Sequence, residues 1–439
     1  MNRPFPITRI LQTWWPLAAS WMLMGAELPA ISATAARLAD PKIHLAAYGG
    51  IVFPLALIIE SPIIMLLAAS TALSKDWASY RKMYRFMMVT SAILTGVHAL
   101  LAFTPLYYPV ARGLLGAPEE IIEPGRIGLM IMLPWTWTIA YRRFHQGVLI
   151  RFGQSRTVGV GTAIRLAADL VTLAIGYTLR WPGIVTATAA VAAGVTCEAV
   201  YAGWAVRPIL RGPLRQAPAV EPALTLRSFL AFYFPLMLTA LISLLATPIV
   251  SAALNRMPQA LESLAVWSPL TGLIFMMRSL GIAYNEVVVA LLDEPHSSGS
   301  LRRFANGLLG VTTVGLVLFT ATPIAGFWFG QVGALKPDLA ELAQAGLWLA
   351  LPLPALSVLQ SWYQGNILYK RKTNGITEAV MLYFGVSMAV LATGVLWGKV
   401  TGLYVGMGSL VLSNLAQTIW LWVRSRRHAS ATQYENDRA

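Results

Sequence analysis

Cysteine is nearly missing from this chain: Cys197 is the one thiol in 439 residues. A disulfide framework and a cysteine metal site are excluded on that count. Charge is scarce too, at 12% of positions, where a soluble protein of this length carries about a quarter. The five histidines are scattered, and neither an HExxH zinc motif nor a Walker A phosphate loop occurs. An embedded acyl- or glycosyltransferase would need acids or histidines clustered at one membrane face. None is seen, so the chain is expected not to be an enzyme and to hold no metal.

What is present is apolar. Hydrophobic residues fill 56% of positions, and runs of 18 or more recur, each long enough to cross a bilayer of about 30 Å. The first run begins near Ile7 without a small-residue cleavage site and reads as a mature helix. Twelve spans are expected, near 7–36, 45–73, 84–106, 126–150, 158–179, 184–206, 228–254, 263–292, 304–328, 341–368, 376–397 and 402–423. With the N-terminus in the cytoplasm, 21 Lys and Arg fall in cytoplasmic loops, eight outside and four within spans. This positive-inside bias places both termini in the cytoplasm. The net charge of +14 therefore reports insertion topology and not a nucleic-acid partner. A bacterial inner (plasma) membrane is the expected location, and a monomer the expected state.

The chain also repeats itself. LPWTWTIAYRRFHQG at 133–147 and LPLPALSVLQSWYQG at 351–365 share one frame, opening on Leu-Pro and closing on Gln-Gly. Residues 14–37 align with 233–256 at an offset of 219, pairing Pro16 with Pro235 and Pro29 with Pro248. A duplication of six spans follows, with both copies in the same orientation and a pseudo-twofold axis along the membrane normal. The expected fold is an all-α polytopic membrane protein of twelve transmembrane helices in two six-helix lobes. The lobes are 1–206 and 228–423, joined by a cytoplasmic linker at 207–227 and followed by a tail at 424–439. Proline inside a spanning helix removes a backbone bond and bends it. The paired prolines thus predict bent helices at a central cavity, while the Ala/Gly-rich sixth span is expected to pack closely within a lobe.

Ionisable residues at membrane depth are expensive, at roughly 2.5–3.5 kcal/mol each, and should face a cavity or a partner. They are Glu27, Glu60, Arg142, Arg143, His145, Arg165, Asp169, Glu198, Arg278 and Glu286. Arg165 and Asp169 stand i,i+4 and either neutralise each other or line a cavity. Glu198 can cap a network inside its lobe, and His145 can be a packing residue. Glu60 aligns with Ser279, one position from Arg278, so opposite charges sit at matching depth on matching helices. Arg142 and Arg143 correspond to Gln360 and Ser361 of the second copy, and Gln146 to Gln364. Arg278, Arg142 and Arg143 are the candidate cavity cations, with Glu60 or Glu286 as carrier of an exchanged proton.

The six-plus-six arrangement with prolines in spans one and seven resembles the multidrug/oligosaccharidyl-lipid/polysaccharide (MOP) exporter superfamily. Residues 144–166, 262–286 and 401–414 resemble the progressive ankylosis protein family within it. The resemblance implies a MATE-like pair of lobes working by alternating access, and export of citrate, pyrophosphate or nucleotide-like anions. It also implies that His145, Gly147, Arg278 and Asn285 stand on cavity helices. No cofactor is expected, while a coupling proton or sodium ion stays open. A lipid-linked oligosaccharide flippase or a multidrug exporter of the same superfamily is the alternative. The Gly- and Asp/Arg-rich loop of major-facilitator transporters is missing after span two, where STALSKDWASYRKMYR stands.

Overall fold

The computed structural model describes residues 5–292, 294–369 and 374–436. Arg3, Lys370, Arg371, Lys372 and Arg438 of the loop-charge count lie outside them. All regular structure among the described residues is helical. Among the described residues nine helices are long and apolar enough to cross a membrane. Leu170, Val171 and Ile175 are exposed on one of them, and Val311, Val314 and Leu318 on another. Such faces would aggregate in water and belong against lipid tails. The chain is an integral membrane protein.

Three expected spans are helical but fall outside those nine. The first is interrupted at Ala26, between Ile7–Gly25 and Glu27–Ala35. The fourth is interrupted at Met132, between Ile122–Ile131 and Leu133–Arg151. The last, within Gly402–Asn436, is continuous, but Asn414 and Gln417 dilute its apolar character. Paired prolines do not produce paired shapes. Pro16 and Pro29 stand on either side of the Ala26 break, whereas Leu226–Leu254 runs through both Pro235 and Pro248.

The step of 219 residues recurs in helix ends. Ser155–Thr178 and the helix that closes at Trp397 end 219 residues apart (178 to 397). The same step separates Gly183 from Gly402, where the next helices start. The shared Leu-Pro has a purpose. It breaks the helix at Met132 in one copy and Leu351 in the other, because Pro134 and Pro352 have no N–H to give the preceding turn. The shared Gly closes the frame for a reason of space. A Cβ on Gly147 would stand 1.8 Å from Ser70 Oγ, and one on Gly365 would stand 2.5 Å from Val288 Cγ1. In both copies this helix presses onto the second span of its half.

Packing divides the chain into two units. One, the C-terminal unit, gathers residues up to Pro29, Met257–Gln259 and everything from Val266 onward; the other, the N-terminal unit, gathers Ala30–Arg256 and Ala260–Ala265. Each unit takes its first helix from the other half of the sequence. In the C-terminal unit Ile10, Trp14 and Ala18 join a core with Ala283, Tyr284, Val287 and Val288, and Trp14 Nε1 donates to Leu280 O at 2.9 Å. In the N-terminal unit Tyr233 donates to Pro62 O at 2.6 Å and Ser251 to Gly49 O at 3.1 Å. Gly49 lies within a π-helical turn at Tyr48–Val52, and Pro62 in the turn that follows Phe53–Glu60. In lipid, carbonyls released by such irregular backbone need a protein donor.

Candidate functional site

In the N-terminal unit Leu133–Arg151 presents Arg142 and Gln146 one turn apart. Both reach Glu198 on Gly183–Ala205. Arg142 Nη1 donates to Glu198 Oε2 at 2.5 Å, and Gln146 Nε2 to Glu198 Oε1 at 2.8 Å. Glu198 is 0% exposed and Arg142 6%. Arg142 was expected to lend a cavity positive potential; its charge is instead matched at contact distance, because a buried guanidinium is tolerated only beside a carboxylate. Arg165 and Asp169 stand 4.0 Å apart on one helix. A Cβ on Gly194 would lie 1.8 Å from Asp169 Oδ1, so the small residues of Gly183–Ala205 make room for that acid.

Glu60 is different. It is 4% exposed, ends the Phe53–Glu60 helix, and its Oε2 has no hydrogen-bond partner among the described residues. Arg143, then Arg142 and Arg165, act on it electrostatically. Arg143 Nε is likewise buried without a partner. His145 is held at both ring nitrogens, by Tyr141 O at 2.9 Å and Tyr80 Oη at 3.5 Å, and is wedged among Tyr84, Tyr141 and Phe144. That is a packing histidine.

The C-terminal unit carries the other candidates. Asn285, Glu286, Gln360 and Gln364 line one cavity of about 220 Å³, together with Trp21, Ile282, Ser357 and Ser361. Trp21 Nε1 donates to Glu286 Oε1 at 3.4 Å, and Asn285 Nδ2 to Ser361 O at 3.2 Å. Arg278 stands one turn before Ile282 on the same helix, Ala260–Leu291. Its Nη2 donates to Asn414 Oδ1 at 3.0 Å, while its Nε is buried without a partner. No carboxylate among the described residues pairs with it. Glu27 opens the short Glu27–Ala35 helix, where a carboxylate favours the positive end of the helix dipole.

Sequence reasoning missed the polar web that holds Gln360. Its Nε2 lies 3.2 Å from Asn414 Oδ1, 3.3 Å from Gln417 Oε1 and 3.1 Å from Thr418 Oγ1. The spacing of Asn414, Gln417 and Thr418 puts all three on one helical face, a signal legible in advance.

Solved structures share this fold. A multidrug resistance MATE family transporter of the MOP superfamily, in an inward-facing conformation, matches with a TM-score of 0.66 and 12% identity over 96% of both chains. The lipid II flippase MurJ, inward closed, matches at 0.64 and 14% identity over 92% of this chain and 87% of that one. A MOP superfamily transporter from Pyrococcus furiosus, described as having a binding pocket of reverse polarity, matches at 0.59 and 14% over 98% and 100%. Neither a protein-family model nor a curated protein matches the sequence. The fold is therefore that of MATE-like membrane transporters.

Proposed function

We propose that the chain is a secondary transporter that exports small organic or phosphate-type anions, such as citrate, pyrophosphate or nucleotide-like molecules, by alternating access. In this reading the twelve spans form lobes 1–206 and 228–423, both termini face the cytoplasm of a bacterial cell, and a proton or sodium ion is exchanged. The progressive ankylosis resemblance supports the substrate class. Arg278 is the observation that carries it: a guanidinium in a spanning helix, held by an amide and matched by no acid among the described residues. An anion leaving water for low-dielectric walls is offset by such a cation, which can also bond carboxylate or phosphate through two parallel donors. A cationic-drug exporter would want acids in excess at this place.

The test is counterflow in proteoliposomes with citrate, pyrophosphate, ATP and a cationic dye. Exchange of one of the anions, lost in Arg278→Ala, supports the proposal. Exchange of the dye alone would assign a multidrug exporter, and movement of a lipid-linked sugar in the absence of anion exchange a flippase.

A further inference from the structure

A second, larger cavity of about 310 Å³ lies at the arginine-rich end of the C-terminal unit. Arg302 and Asn306 reach it from Ser297–Ala321, Trp362 and Asn366 from Pro352–Tyr369, and Trp422 and Arg426 from Gly402–Asn436. Ala305, Leu359 and Ile367 give it an apolar floor. No acid is among its described lining residues. Glu378 is taken by Arg424 at 2.7 Å and Trp420 at 3.0 Å. The Arg426 guanidinium lies 4.3 Å over the Trp422 ring. Arg302 and Arg426 both line the cavity, so two cations share it.

We propose that this cavity binds the headgroup of an anionic phospholipid from the leaflet on the arginine-rich side. Guanidinium groups take phosphate through two parallel donors, and the Asn306 amide suits glycerol and ester oxygens, while Asn366 and Ser425 donate to Trp362 O and Trp422 O of their own helices. Tryptophan and tyrosine favour the depth where headgroups sit. The volume is at the small end of ligand sites, roughly 300–1,000 Å³; it fits a glycerophosphate and leaves acyl chains outside. Those chains have a track. Leu412, Leu415, Ile419 and Trp422 are exposed on one face of Gly402–Asn436, leading away from the cavity. A free phosphate would have no use for that stripe. On the positive-inside topology this leaflet is the cytoplasmic one, where anionic lipids and basic clusters meet.

The site has a consequence for the rest of the unit. Pro352–Tyr369 is the wall between the two cavities: Gln360, Ser361 and Gln364 line one, and Leu359, Trp362 and Asn366 the other. A lipid seated on the outer side fixes the helix that carries the candidate substrate amides. The inference does not depend on which substrate is carried.

Lipid retention and thermal stability of the purified full-length chain test it, with phosphatidylglycerol, phosphatidylcholine and tail-less glycerol 3-phosphate as probes. Phosphatidylglycerol should be retained and raise the midpoint, and phosphatidylcholine should not. Arg302→Gln should weaken retention about tenfold, the loss of one charge-assisted contact, with Arg426→Gln as a second variant. Arg302 is exposed, so its replacement leaves folding intact. Equal retention of phosphatidylglycerol by wild type and the variants would overturn the proposal. So would equal stabilisation by phosphatidylcholine, or binding of glycerol 3-phosphate as tight as that of the lipid.

Discussion

Glu198 and Gln417 occupy the same place in the two halves of the chain, 219 residues apart (198 to 417) on helices that start at Gly183 and Gly402. Glu198 accepts from Arg142, and Gln417 accepts from Gln360, the residue that answers Arg142 in the repeated frame. One copy thus holds a buried ion pair where the other holds an amide pair of similar shape. The asymmetry between the copies lies in charge, while the contact survives.

That relationship predicts an asymmetric mutational response. Arg142→Gln alone leaves Glu198 buried and uncompensated, which costs roughly 3–5 kcal/mol, and should lower yield and thermal midpoint sharply. Arg142→Gln with Glu198→Gln copies the amide pair of the second half and should recover most of that loss. A double variant no more stable than the single one would show that the pair has a role beyond mutual neutralisation.

Arg278 is expected to behave as a binding residue. Arg278→Ala should abolish anion exchange in a folded, inserted protein, and Arg278→Lys should restore it only in part, since lysine lacks the planar fork. Full transport by Arg278→Gln would reduce Arg278 to a structural residue.

Close helix approach makes Gly147 intolerant of a side chain. Gly147→Ala forces Cβ against Ser70 Oγ at 1.8 Å and Leu67 O at 2.4 Å, overpacking of roughly 1–3 kcal/mol. Gly159→Ala, with nothing within 4 Å of its Cβ, should be neutral or stabilising by up to about 1 kcal/mol. Thermal melts of the two variants compare them directly, and equal melts would remove the packing argument.

The linker offers a pH test outside the membrane. Burial pushes the Asp76 carboxyl up, but hydrogen bonds from Ser79 and from Val220 of the linker outweigh it and hold the group below the usual carboxylate range. A lowered folded value gives stability that is whole above about pH 4, the ordinary value, and is lost as pH falls through the folded value. Limited proteolysis of residues 207–227 should therefore quicken as pH drops below about 4, and Asp76→Asn should be cleaved readily at all pH values. Cleavage of the wild type that ignores pH would count against this clasp.

Topology is testable by cysteine labelling after Cys197→Ser. Position 119 should label from outside and position 211 from the cytoplasm. Labelling of 211 from outside would overturn the orientation.

Much of this was legible in the sequence because bilayer thickness and paired repeats leave coarse marks. The repeat was read from Pro16, Pro29, Pro235 and Pro248 and from the Leu-Pro…Gln-Gly frame, and its step of 219 reappears in helix boundaries at Thr178 and Trp397. Helix breaks were not readable from proline alone: Pro248 sits inside an unbroken helix while Pro134 follows a break, since neighbours decide whether a lost bond opens the chain. Site residues were half legible. Arg142 looked like a free cation because its acid, Glu198, is 56 positions away, and no helical spacing connects them. Gln360 looked like a weak echo of Arg142 until its partners on Gly402–Asn436 gave it a place.

The exchanged first helices carry a consequence for biogenesis. As the chain leaves the ribosome, the helices of its first half are made before the donors at Tyr233 and Ser251 exist. The carbonyls of Pro62 and Gly49, which those residues satisfy, must wait in the bilayer without them. Trp14, made near the beginning, finds Leu280 O only after well over half of the protein has been translated. Neither unit can close until synthesis has passed the linker, so a nascent chain stalled there holds two open packing surfaces and not one finished half.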